Sequence, residues 1–346
     1  MKLCTWVPLT PSDQNPPPRL GLVQDAEHVL DMTGLAQDPS VRAAAPASLK
    51  EWLERGTFDS LAQVLDAGPR AFDGLKTLAE LAAARHAPPH VLKLDQLRLL
   101  APLPRPRSMR DCMAFEQHYL QSLRGGARLK YPAVAKLDAF TRALGMPLIR
   151  VPKLFHQLPV YYKGNPASVV GHEAEVSWPS YSERMDFELE VGLYLHKTGK
   201  DLTPEQAVQH VAGYTIFNDF SARDAQLREM ELRLGPAKGK DFDTGNAMGP
   251  FFVTAEALGD IRRLSAEVRI DGEVISRTGL SSLEFSVGRI VSYISQCETL
   301  FPGDFIGLGT MPSGCGLELG RFLKPGETVE LTVEGIGTLR NRLVRR

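Results

Sequence analysis

The chain has 346 residues, of which 43% are hydrophobic and 23% are charged, the composition of an ordinary globular protein that can bury a large core. Its net charge of −1 at pH 7 provides no overall field to attract nucleic acid or an anionic membrane, so we expect neither as a partner. The apolar run at the start is too short for a signal peptide, and no run of roughly eighteen apolar residues predicts a membrane span, so we expect a cytoplasmic protein.

The first third of the chain predicts short strands followed by helices. The predicted strands are Met1–Pro8, Arg19–Asp31 (a small hairpin) and Leu92–Leu103, and the helical patterns between them are Ser48–Arg55, Ser60–Ala67 and Ala71–Ala84. The proline cluster Pro102, Pro104 and Pro106 is the best candidate for a linker. We therefore predict a small N-terminal domain over residues 1–104 and a second domain over residues 105–346.

Asp111 follows the proline cluster and precedes a helical segment, Phe115–Arg124, that carries His118. On the residues alone, Asp111 is explained as a helix cap and His118 as a surface residue. A neutral histidine nevertheless has the pKa needed to take a proton from water near pH 7. The segment Arg124–Arg128 contains two adjacent glycines and predicts a flexible turn.

Three acidic residues alternate with apolar residues from Met185 onward: Asp186, Glu188 and Glu190. Alternation at period two predicts a strand over Met185–Leu195 with the three carboxylates on one face. Neighbours on that face lie about 6.5–7 Å apart, and they repel one another unless water or a cation lies between them. Their chemistry suits a hard divalent ion such as Mg²⁺, Mn²⁺ or Ca²⁺. The alternative is the solvent face of a half-exposed strand.

A second apolar strand, predicted over Val211–Phe217, ends where polar residues crowd together. Asn218 and Asp219 follow at once. The helix that begins after them carries Arg223 and Gln226 three residues apart, and therefore on one face. An aspartate at a strand end with an arginine close behind suggests a third metal ligand with charged neighbours.

In the last part of the chain, the sequence mainly predicts structural elements. The expected elements are a hairpin with an Asp-Gly turn at Ile270–Val274, a helix over Ser286–Ser295 and a closing hairpin of Thr328–Glu334 and Thr338–Val344. The glycine-rich segment Gly307–Gly320 lacks the G-x-G-x-x-G fingerprint, so we reject a dinucleotide site. Cys315 in that segment is interpreted as a packing residue, and the four cysteines show no zinc-site spacing.

Five segments together resemble the fumarylacetoacetate hydrolase superfamily over roughly residues 107–344. They are P-V-Y-Y-K-G at residues 159–164, F-E-L-E at 187–190, N-D-F-S-A-R-D-A-Q at 218–226, G-P-A-K-G-K-D-F-D-T at 235–244 and L-G-T-M-P-S-G at 308–314, and the closing residues 323–341 resemble the C-terminal end of the family. The resemblance implies a β-rich α+β fold, a mixed β-sandwich roll preceded by a small N-terminal domain. It also implies a homodimer.

The resemblance assigns a role to each candidate residue. The carboxylates that would bind the metal, Mg²⁺ or else Mn²⁺ or Ca²⁺, are Asp111, Glu188, Glu190 and Asp219. The residues that would carry out catalysis are the general base His118, its partner Glu318, and Lys240 and Arg223 beside the reacting oxygen. The residues that would contact a keto-acid substrate are Tyr162, Gln226 and Thr310.

This set of residues implies a divalent-metal-dependent hydrolase that cleaves a C–C bond in a 2,4-diketo acid, such as an acylpyruvate or a fumarylacetoacetate-like compound. His118 would activate water, and Lys240 would help to hold the departing enolate. Met113 and Met230 stand where mammalian-type hydrolases have tyrosine, which favours a smaller or less polar acylpyruvate-like substrate. Decarboxylase, isomerase or hydro-lyase chemistry on the same ligands stays open, as does a non-catalytic member that binds a small acid.

Overall fold

Two β-sheets, one small strand pair and a series of mostly short helices form the fold in the computed structural model, which describes residues 1–9, 16–84 and 90–345. The strands are β1 (Lys2–Pro8), β2 (Arg19–Val23), β3 (His28–Asp31), β4 (Val91–Lys93), β5 (Leu97–Leu99), β6 (Ser108–Cys112), β7 (Tyr161–Lys163), β8 (Val169–Val170), β9 (Glu175–Ser177), β10 (Met185–Asp186), β11 (Leu189–Leu195), β12 (Val211–Asp219), β13 (Ser221–Ala222), β14 (Asn246–Thr254), β15 (Ser265–Ile270), β16 (Glu273–Gly279), β17 (Asp304–Gly307), β18 (Thr328–Val333) and β19 (Gly337–Val344). The α-helices are α1 (Met32–Gln37), α2 (Pro39–Ala44), α3 (Ala47–Glu54), α4 (Leu61–Ala67), α5 (Pro69–Ala83), α6 (Glu116–Lys130), α7 (Pro132–Ala143), α8 (Pro204–Val208), α9 (Arg223–Glu229), α10 (Ala255–Leu258), α11 (Val287–Ile294) and α12 (Gly316–Leu319).

The larger sheet is 12-stranded and runs in the order β4-β3-β2-β1-β14-β12-β11-β17-β6-β7, with β5 paired to β1 and β8 to β14. The smaller sheet is 5-stranded, in the order β16-β15-β18-β19-β9, and β10 pairs with β13 separately. This mixed α+β arrangement confirms the predicted fold class. The two predicted hairpins, β15–β16 and β18–β19, are antiparallel as expected.

The N-terminal strands extend the larger sheet. β1 pairs with β14 in antiparallel register, with Leu3 opposite Phe252. One apolar cluster likewise contains Phe58 from the N-terminal region together with Phe217 and Phe305 from β12 and β17. Sheet and core are therefore continuous across residue 104, and the division into residues 1–104 and 105–346 stays a prediction.

The strand predicted over Met185–Leu195 is divided in the structure. β10 pairs with β13, whereas β11 enters the larger sheet between β12 and β17. Between them, the Glu188 amide donates to Asn218 Oδ1 at 2.9 Å, and this side-chain contact replaces a ladder bond. Period-two alternation cannot reveal such a break, because the side chains on both sides of it keep the same pattern.

The turn predicted at Arg124–Arg128 was wrong, because α6 is continuous from Glu116 to Lys130. Gly125 serves close packing: a Cβ there would lie 2.6 Å from the carbonyl oxygen of Leu317 in α12. Asp111 is not a helix cap, because it lies within β6 and the residue before α6 is Phe115. No helix of the described residues has the length and apolar character that a membrane span requires.

Candidate active site

Three buried carboxylates meet across four consecutive strands of the larger sheet, β12, β11, β17 and β6. Asp111 comes from β6, Glu190 from β11 and Asp219 from the end of β12, and their ligand oxygens all lie within 4.8 Å of one another. Asp111 Oδ1 and Asp219 Oδ1 are buried without a hydrogen-bond partner among the described residues. Unpaired buried carboxylate oxygens are costly, so the arrangement fits a hard divalent cation.

The pKa values of these carboxyl groups reflect their burial and their mutual repulsion. Burial and the charge of Asp219 raise the pKa of Asp111 to about 8. Burial raises the pKa of Asp219 to about 6 although the Lys240 ammonium opposes it, and burial with the charge of Asp111 raises the pKa of Glu190 well above its ordinary value. A cation at this cluster would remove the repulsion that keeps the groups protonated.

Glu188 is held differently, by two buried cations. Arg223 Nη2 donates to Glu188 Oε1 at 2.6 Å, and Lys240 Nζ donates to Glu188 Oε2 at 2.5 Å and also to Asp219 Oδ2. Burial alone would raise the pKa of Glu188, but the two cations outweigh it and hold that pKa below its ordinary range. Glu188 is not one of the three carboxylates whose oxygens converge, and its role as a fourth metal ligand stays a prediction.

His118 on α6 and Glu318 on α12 form a buried pair. The distance from His118 Nδ1 to Glu318 Oε1 is 2.6 Å, and the Ser313 amide donates to Glu318 Oε2 at 2.9 Å. Because an ionised carboxylate only accepts, Nδ1 carries a proton, and in the neutral ring Nε2 is then the nitrogen with a free lone pair. When His118 is protonated, its charge lowers the pKa of Glu188, so the pair lies within electrostatic reach of that carboxylate.

The three predicted substrate contacts each touch a charged group of the site. The Tyr162 hydroxyl donates to Asp219 Oδ2 at 2.8 Å, and the Thr310 hydroxyl donates to Glu190 Oε1 at 3.0 Å. Gln226 Oε1 accepts from Arg223 Nη1 at 2.9 Å. All three lie around the cluster, and contact with substrate stays a prediction for each.

Two residues that the sequence interpretation left without a role belong to the site. Asp186 accepts from Arg223 Nε at 2.7 Å, and its place on the same strand face as Glu188 was the available signal. Gly307 in β17 lies opposite Asp111, and a glycine without a turn motif gives no signal in a single sequence.

A cleft of about 530 Å³ opens beside the histidine–glutamate pair. Its lining includes Gln117, the residue before His118, and Ser313. The basic residues that line it are Arg262, Arg263 and Arg277. Guanidinium groups bind carboxylates well, so this cleft suits an anionic group, although none of the predicted metal ligands lines it.

Comparison with known proteins identifies the family of this fold. The family profile described as "Fumarylacetoacetate (FAA) hydrolase C-terminal" matches residues 138–344, well over half of the chain. The protein belongs to this family, which confirms the resemblance found in the sequence.

Similar proteins extend the comparison over nearly the whole chain. The oxaloacetate tautomerase YisK of Bacillus subtilis is 29% identical over 94% of this chain and 95% of its own, and mitochondrial oxaloacetate tautomerase fahd2 of Xenopus laevis is 27% identical over 96% and 88%. The fumarylacetoacetate hydrolase of Exiguobacterium antarcticum is 25% identical, with a TM-score of 0.68 over 100% of both chains. These relatives are enzymes of two kinds, so family membership leaves the reaction to be inferred.

Proposed function

We propose that this protein is a divalent-metal-dependent enzyme that enolises a short 2-oxo dicarboxylic acid of the oxaloacetate type. The observation that carries the proposal is Lys240, a buried ammonium that bonds both Glu188 and Asp219. Burial lowers the pKa of Lys240, but these two carboxylates outweigh it and raise that pKa, so the lysine stays charged. The similarity to two oxaloacetate tautomerases along nearly the whole chain supports the same chemistry.

Asp111, Glu190 and Asp219 are the residues that would hold Mg²⁺ or Mn²⁺, with Glu188 as the further predicted ligand. When bound, the ion supplies Lewis acidity to the 2-oxo group of the substrate. The Lys240 ammonium adds positive charge near the same oxygen, where negative charge develops; its three protons are donated to Glu188 Oε2, Asp219 Oδ2 and the Asp219 carbonyl oxygen, so it acts through its charge. The arginine-lined cleft favours the approach of a substrate with two carboxylates.

His118 is the base in this proposal. Its Nε2 accepts a proton from C3 of the 2-oxo acid, while Glu318 stabilises the imidazolium through Nδ1–H. Return of that proton to the enolate oxygen gives the enol, and the reverse steps give the keto acid. Nothing is consumed, so the reaction requires no water in the site.

Hydrolysis of a C–C bond in a 2,4-diketo acid is the second candidate, and the His118–Glu318 pair favours it. A histidine oriented by a carboxylate is suited to take a proton from water as the water attacks the 4-keto carbon. The C3–C4 bond then breaks, Lys240 stabilises the enolate, and C3 of the enolate takes back the proton that His118 removed from water. An acylpyruvate would give pyruvate and a carboxylic acid.

Parallel assays test the two candidates. The protein is supplied with Mg²⁺ or Mn²⁺, oxaloacetate tautomerisation is followed by enol absorbance, and acylpyruvates are followed by enol loss with identification of products. We expect fast tautomerisation and C3 deuterium exchange in D₂O without C–C cleavage. Cleavage as the faster reaction would replace the proposal with hydrolysis, and metal binding without either reaction would leave a non-catalytic binding member.

We also propose a homodimer, on the basis of the family resemblance. Size-exclusion chromatography with light scattering checks it. A mass of one chain at working concentration would contradict the dimer.

A further inference from the structure

Asp186 is fully buried and uses both carboxylate oxygens. Oδ1 accepts from the Gly316 amide at 2.7 Å, and Oδ2 accepts from the Leu317 amide at 2.9 Å and from Arg223 Nε at 2.7 Å. Oδ1 also accepts from the amide of Phe187, its own neighbour, at 2.8 Å. A buried carboxylate with this many donors is held in a single orientation.

The Gly316 and Leu317 amides belong to the first turn of α12, the helix that carries Glu318. Amides in the first turn of a helix have no acceptor within the helix. Cys315 precedes α12 and makes no side-chain cap bond, so Asp186 supplies the cap from a distant part of the chain. The position of Glu318 therefore depends on a residue about 130 positions earlier.

Gly316 gives independent support for this contact. A Cβ at this position would lie 2.5 Å from Asp186 Oδ1 and 1.9 Å from the carbonyl oxygen of Arg321. Only a glycine allows the amide to approach the carboxylate this closely. The first turn of α12 therefore requires a glycine at position 316 for its contact with Asp186.

Asp186 also joins this helix to the charged cluster. Arg223 bonds Asp186 through Nε and Glu188 through Nη2, at 2.7 Å and 2.6 Å. One chain of buried hydrogen bonds therefore runs from the α12 amides through Asp186 and Arg223 to the carboxylate beside Lys240. The histidine pair and the cluster are fixed relative to each other by this chain.

We infer that Asp186 is a positioning residue for the reaction: it touches no substrate, and it sets α12 so that Glu318 orients His118. This inference rests on the proposed function, because it assumes that the histidine pair takes part in the reaction. Replacing Asp186 by asparagine keeps the shape but removes the charge and one acceptor oxygen. The Leu317 amide and Arg223 then compete for the one remaining side-chain oxygen, and the start of α12 loosens.

The variant Asp186→Asn is compared with Asp31→Asn. Asp31 is a matched control, since it is also buried, caps a helix through the Gly34 amide at 2.9 Å and bonds Arg19 Nε at 3.3 Å, yet it lies in the N-terminal region. We expect Asp186→Asn to lose about 10–100-fold in turnover, the usual effect of removing a partner that orients a functional group. Asp31→Asn should keep the turnover of the parent.

Two further measurements separate positioning from general damage. The ¹H–¹⁵N signal of His118 Nδ1–H, assigned through its loss in His118→Ala, should shift or vanish in Asp186→Asn and stay unchanged in Asp31→Asn. In a double-mutant cycle, Asp186→Asn should cost little more once Glu318→Gln is present, because both act through one pair. An unchanged Nδ1–H signal, or fully additive losses, would overturn the inference.

The signal of His118 needs no substrate, so it decides the inference even if the proposed reaction is not found. Should Asp186→Asn fail to fold, amide hydrogen exchange in the parent takes its place. The Gly316 and Leu317 amides should exchange slowly if Asp186 holds them. Exchange as fast as that of exposed loop amides would overturn the inference.

Discussion

Gly307 lies directly opposite Asp111 across the parallel pair of β17 and β6, and the missing side chain leaves room for the carboxylate. A Cβ on Gly307 would lie 2.2 Å from Asp111 Oδ1 and 3.2 Å from Glu190 Oε2. The two carboxylates therefore converge over a glycine. The strand order brings the cluster together only because β17 has no side chain at this point.

Gly307→Ala should displace the Asp111 carboxylate and weaken divalent-metal binding by about 10-fold or more, comparable to the loss of a group that orients a metal ligand. Isothermal titration with Mg²⁺ and Mn²⁺ measures this. Gly164→Ala is the matched control, because a Cβ there would only reach ordinary contact with Met109 Cβ at 3.4 Å. Equal metal affinity in both variants would show that the space at Gly307 is not needed.

The raised pKa of Asp111 predicts how stability depends on pH. Between its ordinary value of 3.8 and about 8, the folded protein retains a proton that the unfolded chain has released. The metal-free protein should therefore lose unfolding free energy as pH rises through this window, and Asp219 adds the same sign up to about 6. Mg²⁺ competes with these protons, so the rise in Tm on adding Mg²⁺ should be larger near pH 8 than near pH 6.

Thermal unfolding with Mg²⁺ or with EDTA at several pH values checks this prediction. Asp111→Asn provides the control: without the titrating group, the metal-free protein should change less in Tm over the same range and gain less from Mg²⁺. A rise in Tm on adding Mg²⁺ that shrinks toward pH 8 would contradict the prediction.

Most of the fold could be predicted from local sequence patterns. The helix predicted over Ser286–Ser295 is α11, with Ser286 as its cap, and the Asp271-Gly272 turn joins β15 to β16. These features depend on neighbours in sequence, where caps and turn residues act directly. The Arg124–Arg128 segment failed for the opposite reason. Gly125 is required by close packing against Leu317 in α12, and a contact between residues so far apart in sequence cannot be predicted from a local pattern.

The candidate site was predictable only in part. Glu190 and Asp219 stand out as acidic residues in apolar strands, which is a signal in the chain itself. The pairing of His118 with Glu318 came from family resemblance, because the two residues lie 200 positions apart. Asp186 was visible as a carboxylate, but its contact with the α12 amides joins residues about 130 positions apart and cannot be predicted from a local pattern.

Glu188→Gln tests whether Glu188 binds the metal or only pairs with its two cations. As a ligand, its loss should reduce the Mg²⁺ affinity sharply, because few ligands share the ion. Isothermal titration gives the affinity, and circular dichroism shows whether the fold persists. Binding like that of the parent would restrict Glu188 to its contacts with Arg223 and Lys240.

Gly125→Ala should separate α6 from α12 and so lengthen the contact between His118 and Glu318. A Cβ at Gly125 would meet the Leu317 carbonyl oxygen at 2.6 Å, whereas one at Gly126 would meet only the end of Leu227, at 3.3 Å. We expect Gly125→Ala to lose about 10-fold or more in turnover through loss of orientation. Gly126→Ala, one position along the same helix, should keep the parent rate. Steady-state kinetics of the two variants compare them directly.

His118→Ala separates the two candidate reactions. If His118 is the base for either one, the variant should keep metal and substrate binding and lose about 10²–10⁴-fold in that reaction, the usual contribution of a positioned base. C3 deuterium exchange and C–C cleavage are followed together in D₂O, with an acylpyruvate and with oxaloacetate.

Exchange and tautomerisation lost together would assign His118 to removal of the C3 proton, as proposed. Exchange retained with cleavage lost would assign it to the activation of water and favour the hydrolase. Both rates unchanged would remove His118 from the chemistry, and the base would then have to be sought elsewhere around the carboxylate cluster.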